Sequence, residues 1–182
     1  MKRLHERLAS AAGQQHLLDI AYRTVDSPIG KLLLAATEHG MVRVAFEMEN
    51  HDAVLQLLAD RLSPRILLAP ARLDTAAREL EEYFAGKRHS FDLPLDFSLS
   101  RGFRLSVLEH LPRIAYGSTE SYAQVALAAG SPRAVRAVGT ACATNPLPVI
   151  VPCHRVVKSD GSYGNYLGGT EAKRALLALE AA

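Results

Sequence analysis

The stretch SYAQVALAAGSPRAVRAVGTACA (residues 121–143) decides how the second half of this 182-residue chain folds. It opens on Ser121-Tyr122-Ala123-Gln124, the form of a capping box. The serine hydroxyl can accept from the amide three residues on, and the glutamine side chain can reach back to the serine amide. A helix then runs to Ala129 and stops at Gly130. Ser131 reads as the cap of a second helix, with Pro132 at its first position. Two short helices around a Gly-containing turn make a helix-turn-helix, although two packed helices of no special purpose would read the same way.

The second helix separates into two faces at about 100° per residue. Ala134, Val135, Val138, Gly139, Ala141 and Cys142 cluster on the side expected to face the core. Arg133, Arg136, Ala137, Thr140 and Ala143 fall on the other. A merely solvated face would carry Glu, Lys and Gln. Small residues let a helix backbone approach something large, and arginines suit phosphates and base edges. DNA fits that face. The charge agrees: residues 101–182 carry 9 Lys and Arg against 5 Asp and Glu, whereas residues 1–100 carry 12 against 14.

Further on comes VPCHRV (residues 151–156). Val149-Ile150-Val151 reads as a buried strand that Pro152 ends, which puts Cys153 and His154 at a strand-to-loop junction. Buried cysteines are most often inert packing. A free thiol, with a pKa of about 8.5, needs a base to act as a nucleophile at neutral pH. His154 is adjacent, but neighbours on a strand point to opposite faces, so adjacency alone proves no contact. In the last predicted helix, Thr170 to Leu179, Leu176, Leu177 and Leu179 face inward, and Glu180 falls between Leu176 and Leu177 on the apolar side. It either seeks a partner there, with His154 a candidate for a Cys–His–Glu relay, or it is frayed and exposed. Lys158 to Gly169, rich in glycine, makes a flexible or tightly turned loop able to wall a pocket beside Cys153.

The first half reads differently. Ile20 to Val25, Lys31 to Thr37 and Met41 to Phe46, split by Gly-containing turns, predict a meander. Asp52 to Leu62 and Leu73 to Phe84 carry helical periodicity. Phe91 to Phe97 alternates like an edge strand that tolerates Pro94. The fold class is therefore α/β (α+β): a small N-terminal domain of mixed strands and helices, then a mainly helical C-terminal domain with a helix-turn-helix and an active-site Cys loop. The boundaries are an extension over 1–18, a domain over 19–100 and a domain over 101–182. Two cysteines, no C-x-x-C and scattered histidines predict neither a disulfide framework nor a metal site. No apolar run would span a bilayer and no signal peptide is evident, so the expected location is the cytoplasm, with no membrane partner.

Residues from about 101 to 182 resemble the O6-alkylguanine-DNA alkyltransferases. The matching pieces are Tyr116-Gly117, Ser121-Tyr122, Arg133 to Gly139, Asn145-Pro146, Val151 to Val156, Gly164-Asn165-Tyr166, Gly168-Gly169, and Leu176-Leu177 with Glu180. Residues 20–97 resemble the family's variable N-terminal domain more weakly. The resemblance implies direct reversal of O6-alkylguanine, and of O4-alkylthymine, by irreversible single-turnover transfer of the alkyl group from a flipped base to Cys153. Extrusion is a physical need, because the target atom is obstructed inside the stack. By this likeness His154 deprotonates Cys153 through a water, Glu180 orients His154, Asn145 braces the turn, and Tyr122 assists the leaving guanine. Arg136 replaces the flipped base in the stack, as wedges do elsewhere. Ser121, Gln124, Arg133, Ala137, Thr140 and Tyr122 complete the DNA contacts. Val156, Tyr166, Leu167, Gly168, Asn165, Pro148 and Cys142 form the base pocket. The implied partner is double-stranded DNA read from the minor groove with little sequence preference, by a monomer able to cluster on DNA, with no cofactor.

The chain departs from the family pattern in places. Arg104, Leu108 and Ala115 stand where Gln, Trp and Pro are common, and Leu167 replaces a small or hydroxyl residue of the pocket loop. Three other functions compete: a non-reactive sensor of alkylated bases, which Cys153 argues against; a Cys-His hydrolase, which would need an oxyanion hole; and a plain helix-turn-helix regulator, which leaves P-C-H-R without a purpose.

Overall fold

The computed structural model describes residues 18–182; the predicted extension over 1–18 lies, but for Leu18, outside the described residues. The described chain forms two compact units. One holds the residues up to Glu82 with Asp92–Asp96, the other Tyr83–Phe91 with Phe97–Ala182. Among the described residues no helix is long and apolar enough to cross a membrane.

The first unit is built on β1 (Ile20–Val25), β2 (Leu32–Thr37) and β3 (Gly40–Phe46), the antiparallel meander that the sequence predicts. A short β4 (Ile66–Leu68), absent from the sequence reading, pairs parallel with β1 and gives the order β3-β2-β1-β4. Leu32, Leu33, Leu34 and Ala35 are all buried, as in a central strand covered on both faces. Helices α1 (His51–Arg61) and α2 (Asp74–Phe84) follow the predicted periodicity. Asn50 caps α1, accepting from Asp52 N and Ala53 N.

The strand predicted over Phe91 to Phe97 does not form. A single bridge joins Met41 to Leu95, with Met41 N donating to Pro94 O and Asp96 N to Met41 O, both at 2.8 Å. Pro94 has no N–H to extend a ladder, and Asp92 N turns instead to Glu79 Oε2 at 2.9 Å. Gly40 is required at this contact: a Cβ there would sit 2.3 Å from Pro94 O.

The second unit packs α3 (Gly102–His110), α4 (Tyr122–Ala128) and α5 (Val135–Ala143) against one another, and α6 (Gly169–Glu180) closes the chain. The capping box at Ser121 is complete: Gln124 N donates to Ser121 Oγ at 3.2 Å and Ser121 N to Gln124 Oε1 at 2.7 Å. Helix α4 ends in a Schellman motif, with Ser131 N on Ala126 O, Gly130 N on Leu127 O, and Gly130 at φ 81°. That motif corrects the predicted start of the second helix. Because the Ser131 amide is drawn back to close α4, Ser131–Ala134 forms a turn with Pro132 inside it, and α5 begins only at Val135. Val135, placed inward by the wheel, is exposed at this first position, whereas Val138, Ala141 and Cys142 are buried. Arg133, Arg136, Ala137, Thr140 and Ala143 are exposed, as the wheel predicts.

The predicted strand at Val149-Ile150-Val151 is also corrected. These buried residues form turns, with Val149 at φ 74°. Pro146 and Pro148 keep the run from a ladder, and the Asn145 side chain closes it locally. An apolar run of this length marks burial, not conformation. The short strand lies later: β6 (Val156–Val157) pairs in parallel with β5 (Glu120–Ser121) and ties the start of α4 to the residues after Cys153.

Candidate active site

Cys153–Arg155 forms a single 3-10 turn with Pro152 at its N-cap. Cys153 N is fixed on Val151 O at 2.8 Å and Arg155 N on Pro152 O at 3.0 Å. On such a turn Cys153, His154 and Arg155 project in different directions, and all three are buried. The Cys153 thiol is 1 % exposed and accepts from Asn145 Nδ2 at 3.1 Å. The same amide donates to Val151 O at 2.8 Å, and Asn145 Oδ1 accepts from Leu147 N at 2.9 Å. One buried side chain thus closes the turn after α5 and touches the sulfur.

His154 lies on the other side of the turn. Its Nε2 is 2.8 Å from Glu180 Oε1, so Glu180 is a buried partner and not a frayed end. Its Nδ1 is buried with no hydrogen-bond partner among the described residues. The Glu180 carboxylate collects further donors. Arg155 gives Nε to Oε2 at 2.8 Å and Nη2 to Oε1 at 2.9 Å. Tyr83 gives its hydroxyl to Oε1 at 2.6 Å, and Gly117 its amide to Oε2 at 3.3 Å. Gly117, at φ 75°, must be glycine, because a Cβ would lie 2.8 Å from Glu180 O.

The electrostatics follow from burial and these partners. Burial alone would raise the Glu180 pKa, but the hydrogen bonds from His154 and Arg155 hold it well below the carboxylate range. Burial lowers the affinity of His154 for a proton, against the pull of Glu180, so the imidazole is neutral at pH 7. Burial pushes the Cys153 thiol up to about 11, opposed by the Asn145 hydrogen bond and by Lys173. At rest Cys153 is therefore a thiol, and the next residue along the turn carries a neutral imidazole.

The remaining predicted site residues are distributed as follows. Tyr122 begins α4, and a Cβ on Gly164 would lie 2.2 Å from its hydroxyl, so the glycine loop passes directly against it. Burial and the nearby Cys142 and Cys153 raise the Tyr122 pKa to about 12. The Tyr166 ring stands edge-on to His154 at 6.4 Å. Cys142, Pro148 and Val156 are buried; Leu167 and Gly168 are half-buried; Asn165 is exposed. The side chains of Ser121 and Gln124 are engaged with each other's backbone in the cap. Among the described residues no cluster of His, Cys, Asp and Glu could hold a metal ion.

Three side chains at the site escaped the sequence reading. Arg155 is visible inside P-C-H-R, and its signal is a cation in an apolar run, which must find a carboxylate when buried. Lys173 is fully buried, with Nζ on Val156 O at 2.6 Å; its place on the same face of α6 as Leu176 and Glu180 is the signal. Tyr83 sits in a helix read as belonging to the other half, and nothing local marks it.

Comparison with known proteins covers both halves. Residues 20–97 match the family described as 6-O-methylguanine DNA methyltransferase, ribonuclease-like domain, and residues 102–182 its DNA binding domain. The methylated-DNA–protein-cysteine methyltransferase of Methanosarcina barkeri is 40% identical over 159 residues, covering 87% of this chain and 96% of that protein. The constitutive one of Bacillus subtilis is 39% identical over 163 residues, covering 87% and 94%. The crystal structure of Mycobacterium tuberculosis OGT in complex with DNA superposes with a TM-score of 0.76 at 39% identity, covering 88% of this chain and 92% of that one. With both halves matched in order, the chain belongs to the 6-O-methylguanine DNA methyltransferase family.

Proposed function

We propose that the protein repairs DNA by moving the alkyl group of O6-alkylguanine onto Cys153 in a single, irreversible turnover. The observation that carries this reading is the buried Cys153 beside a His154 whose Nε2 is held 2.8 Å from Glu180. With Nε2–H committed to Glu180, Nδ1 is the basic nitrogen. It takes the Cys153 proton through one water, as its buried, unpartnered position supports. The thiolate sulfur then attacks the alkyl carbon. The S–C bond forms as the C–O6 bond breaks, the electron pair leaves on the guanine, and a proton from the site neutralises it. Tyr122, beside the glycine loop, is placed to supply or steer that proton. A thioether is not hydrolysed under these conditions, so each molecule acts once.

DNA is engaged by the exposed face of α5, where Ala137 and Thr140 permit close approach to the minor groove. Arg136 fills the gap left by the flipped base, and Arg133 meets the backbone. Asn165, Tyr166, Leu167 and Gly168 line the pocket with Pro148, Cys142 and Val156, and the bulk of Leu167 restricts large alkyl groups.

Incubation of the protein with duplex DNA containing O6-methylguanine is expected to add one methyl mass to the peptide carrying Cys153. Folded protein that binds this DNA without gaining mass, or that releases more than one equivalent of product, overturns the reading. Arg136→Ala is expected to slow repair of duplex on the order of tenfold more than reaction with the free modified base. The wedge offsets about 1.4 kcal/mol of an unstacking cost of a few kcal/mol per step. Equal losses on both substrates remove the wedge.

A further inference from the structure

The alkyl-transfer step described above uses His154 and Glu180 and leaves Tyr83 without a part. Yet Tyr83 is fully buried, and its hydroxyl reaches both members of the pair, donating to Glu180 Oε1 at 2.6 Å and lying 3.5 Å from His154 Nε2. The ring is held by packing against Phe84 and Phe91, each at 5.3 Å between centroids, and edge-on to Tyr116 at 6.2 Å. A phenylalanine would fill that space equally well. Only the hydroxyl touches the relay.

The oxygen it touches is shared. Glu180 Oε1 accepts from Tyr83, from His154 Nε2 and from Arg155 Nη2. The share of negative charge that the phenol draws is withdrawn from the imidazole. The phenol is a lasting donor, since burial and the neighbouring Glu180 raise its pKa far above neutrality.

We propose that Tyr83 is a positioning residue of the alkyl-transfer relay, its hydroxyl sharing Glu180 Oε1 with His154 so as to fix the Nε2–H tautomer and restrain the basicity of Nδ1. The proposal rests on the alkyl-transfer reading. The other groups facing the pair are accounted for. Arg155 is on the same carboxylate, and Lys173 from α6 adds a second cation; both disfavour a proton on His154. Tyr116, from the turn before β5, and Tyr166, from the glycine loop, have raised pKa values and stay neutral. Cys153 and Cys142 are held as thiols by burial. Deleting the Tyr83 hydroxyl therefore removes its hydrogen bond to Glu180 and its longer contact with His154 Nε2, and changes no formal charge.

The test is the rate of methyl transfer from O6-methylguanine duplex to the full chain, followed across about pH 4 to 8, a range set low because burial lowers the His154 pKa from the ordinary 6.5. The acid limb of the wild-type profile marks protonation of His154, which must be neutral to accept the thiol proton. Tyr83→Phe frees charge on Oε1 for the imidazolium, so the limb moves up by about half a pH unit, a threefold loss on the limb. A 3-fluorotyrosine at position 83 keeps the ring and strengthens the donor, so the limb moves down. Opposite shifts are what a role in packing alone would not produce. If Tyr83→Phe fails to fold, the fluorinated protein decides by itself. A wild-type protein that takes up no methyl overturns the alkyl-transfer reading and this proposal together. Wild-type uptake with the limb unmoved in the folded variants overturns the proposal alone.

Discussion

Glu180→Gln is expected to lower the thermal midpoint by about 10 °C and to slow alkyl transfer by on the order of 10²–10⁴-fold. The carboxylate accepts from Tyr83, His154, Arg155 and Gly117, and Arg155, on both oxygens, and Gly117 can only donate. A glutamine must turn its NH₂ toward at least one of them. Removing one partner of a buried ion pair costs about 3–5 kcal/mol, and each kcal/mol moves the midpoint of a chain this size by about 2–4 °C. The rate falls separately, because nothing then holds the His154 tautomer. Calorimetry of both proteins from pH 7 to pH 4 checks the origin. The folded pKa of Glu180 lies below the ordinary 4.5, so its stabilisation is complete above that value and is lost as the pH falls toward the folded value. The gap between wild type and variant must narrow below about 4.5. His154, depressed below 6.5, also loses stability as the pH falls through that value toward its folded pKa, and does so in both proteins. A gap that stays constant down to pH 4 assigns the loss to packing and not to the ionised carboxylate.

Asn145→Ala is the second large effect. Three hydrogen bonds end on this side chain. Its loss leaves Leu147 N buried without this partner, while Val151 O keeps Cys153 N, so about 1–3 kcal/mol of stability goes. The chemistry suffers in a particular way. The Asn145 amide is the strongest influence holding the Cys153 pKa down against burial, so without it the thiol rises further. Alkyl transfer is expected to fall about tenfold or more at neutral pH and to recover partly as the pH is raised, because one pKa unit of thiolate is a factor of ten. Stopped-flow measurement of transfer from a free O6-alkylguanine base at several pH values checks this. A loss of equal size at every pH shows that Asn145 acts only on the backbone turn.

What the sequence made legible was what is encoded locally. The capping box at Ser121-Gln124, the helix period of α5 and α6, and the meander of β1 to β3 each depend on residues a few positions apart. Glu180 could be placed on the apolar side of its helix by period alone, but its partner could not. The failures share a cause. Val149-Ile150-Val151 is apolar because it is buried, and burial suits a turn as well as a strand. Pro132 fits the first turn of a helix and a β-turn alike, and only the Schellman bond from Ser131 to Ala126 selects between them. Tyr83 and Lys173 join the site through tertiary contacts that leave no periodic trace. P-C-H-R marked the nucleophile, but not that its arginine shares the carboxylate of its histidine.

The contacts on Glu180 reach back along the chain by 97 residues to Tyr83, 63 to Gly117, 26 to His154 and 25 to Arg155. Closures of such span are the slow, late events of folding. Until they occur, Cys153 is a solvated thiol with a pKa of about 8.5, open to any passing electrophile or oxidant. Once they occur, the sulfur is sealed and burial pushes its pKa up to about 11. Folding thereby trades indiscriminate reactivity for guarded reactivity. For a molecule that can accept one alkyl group and no second, that guard preserves the single acceptor for a base that fits the pocket.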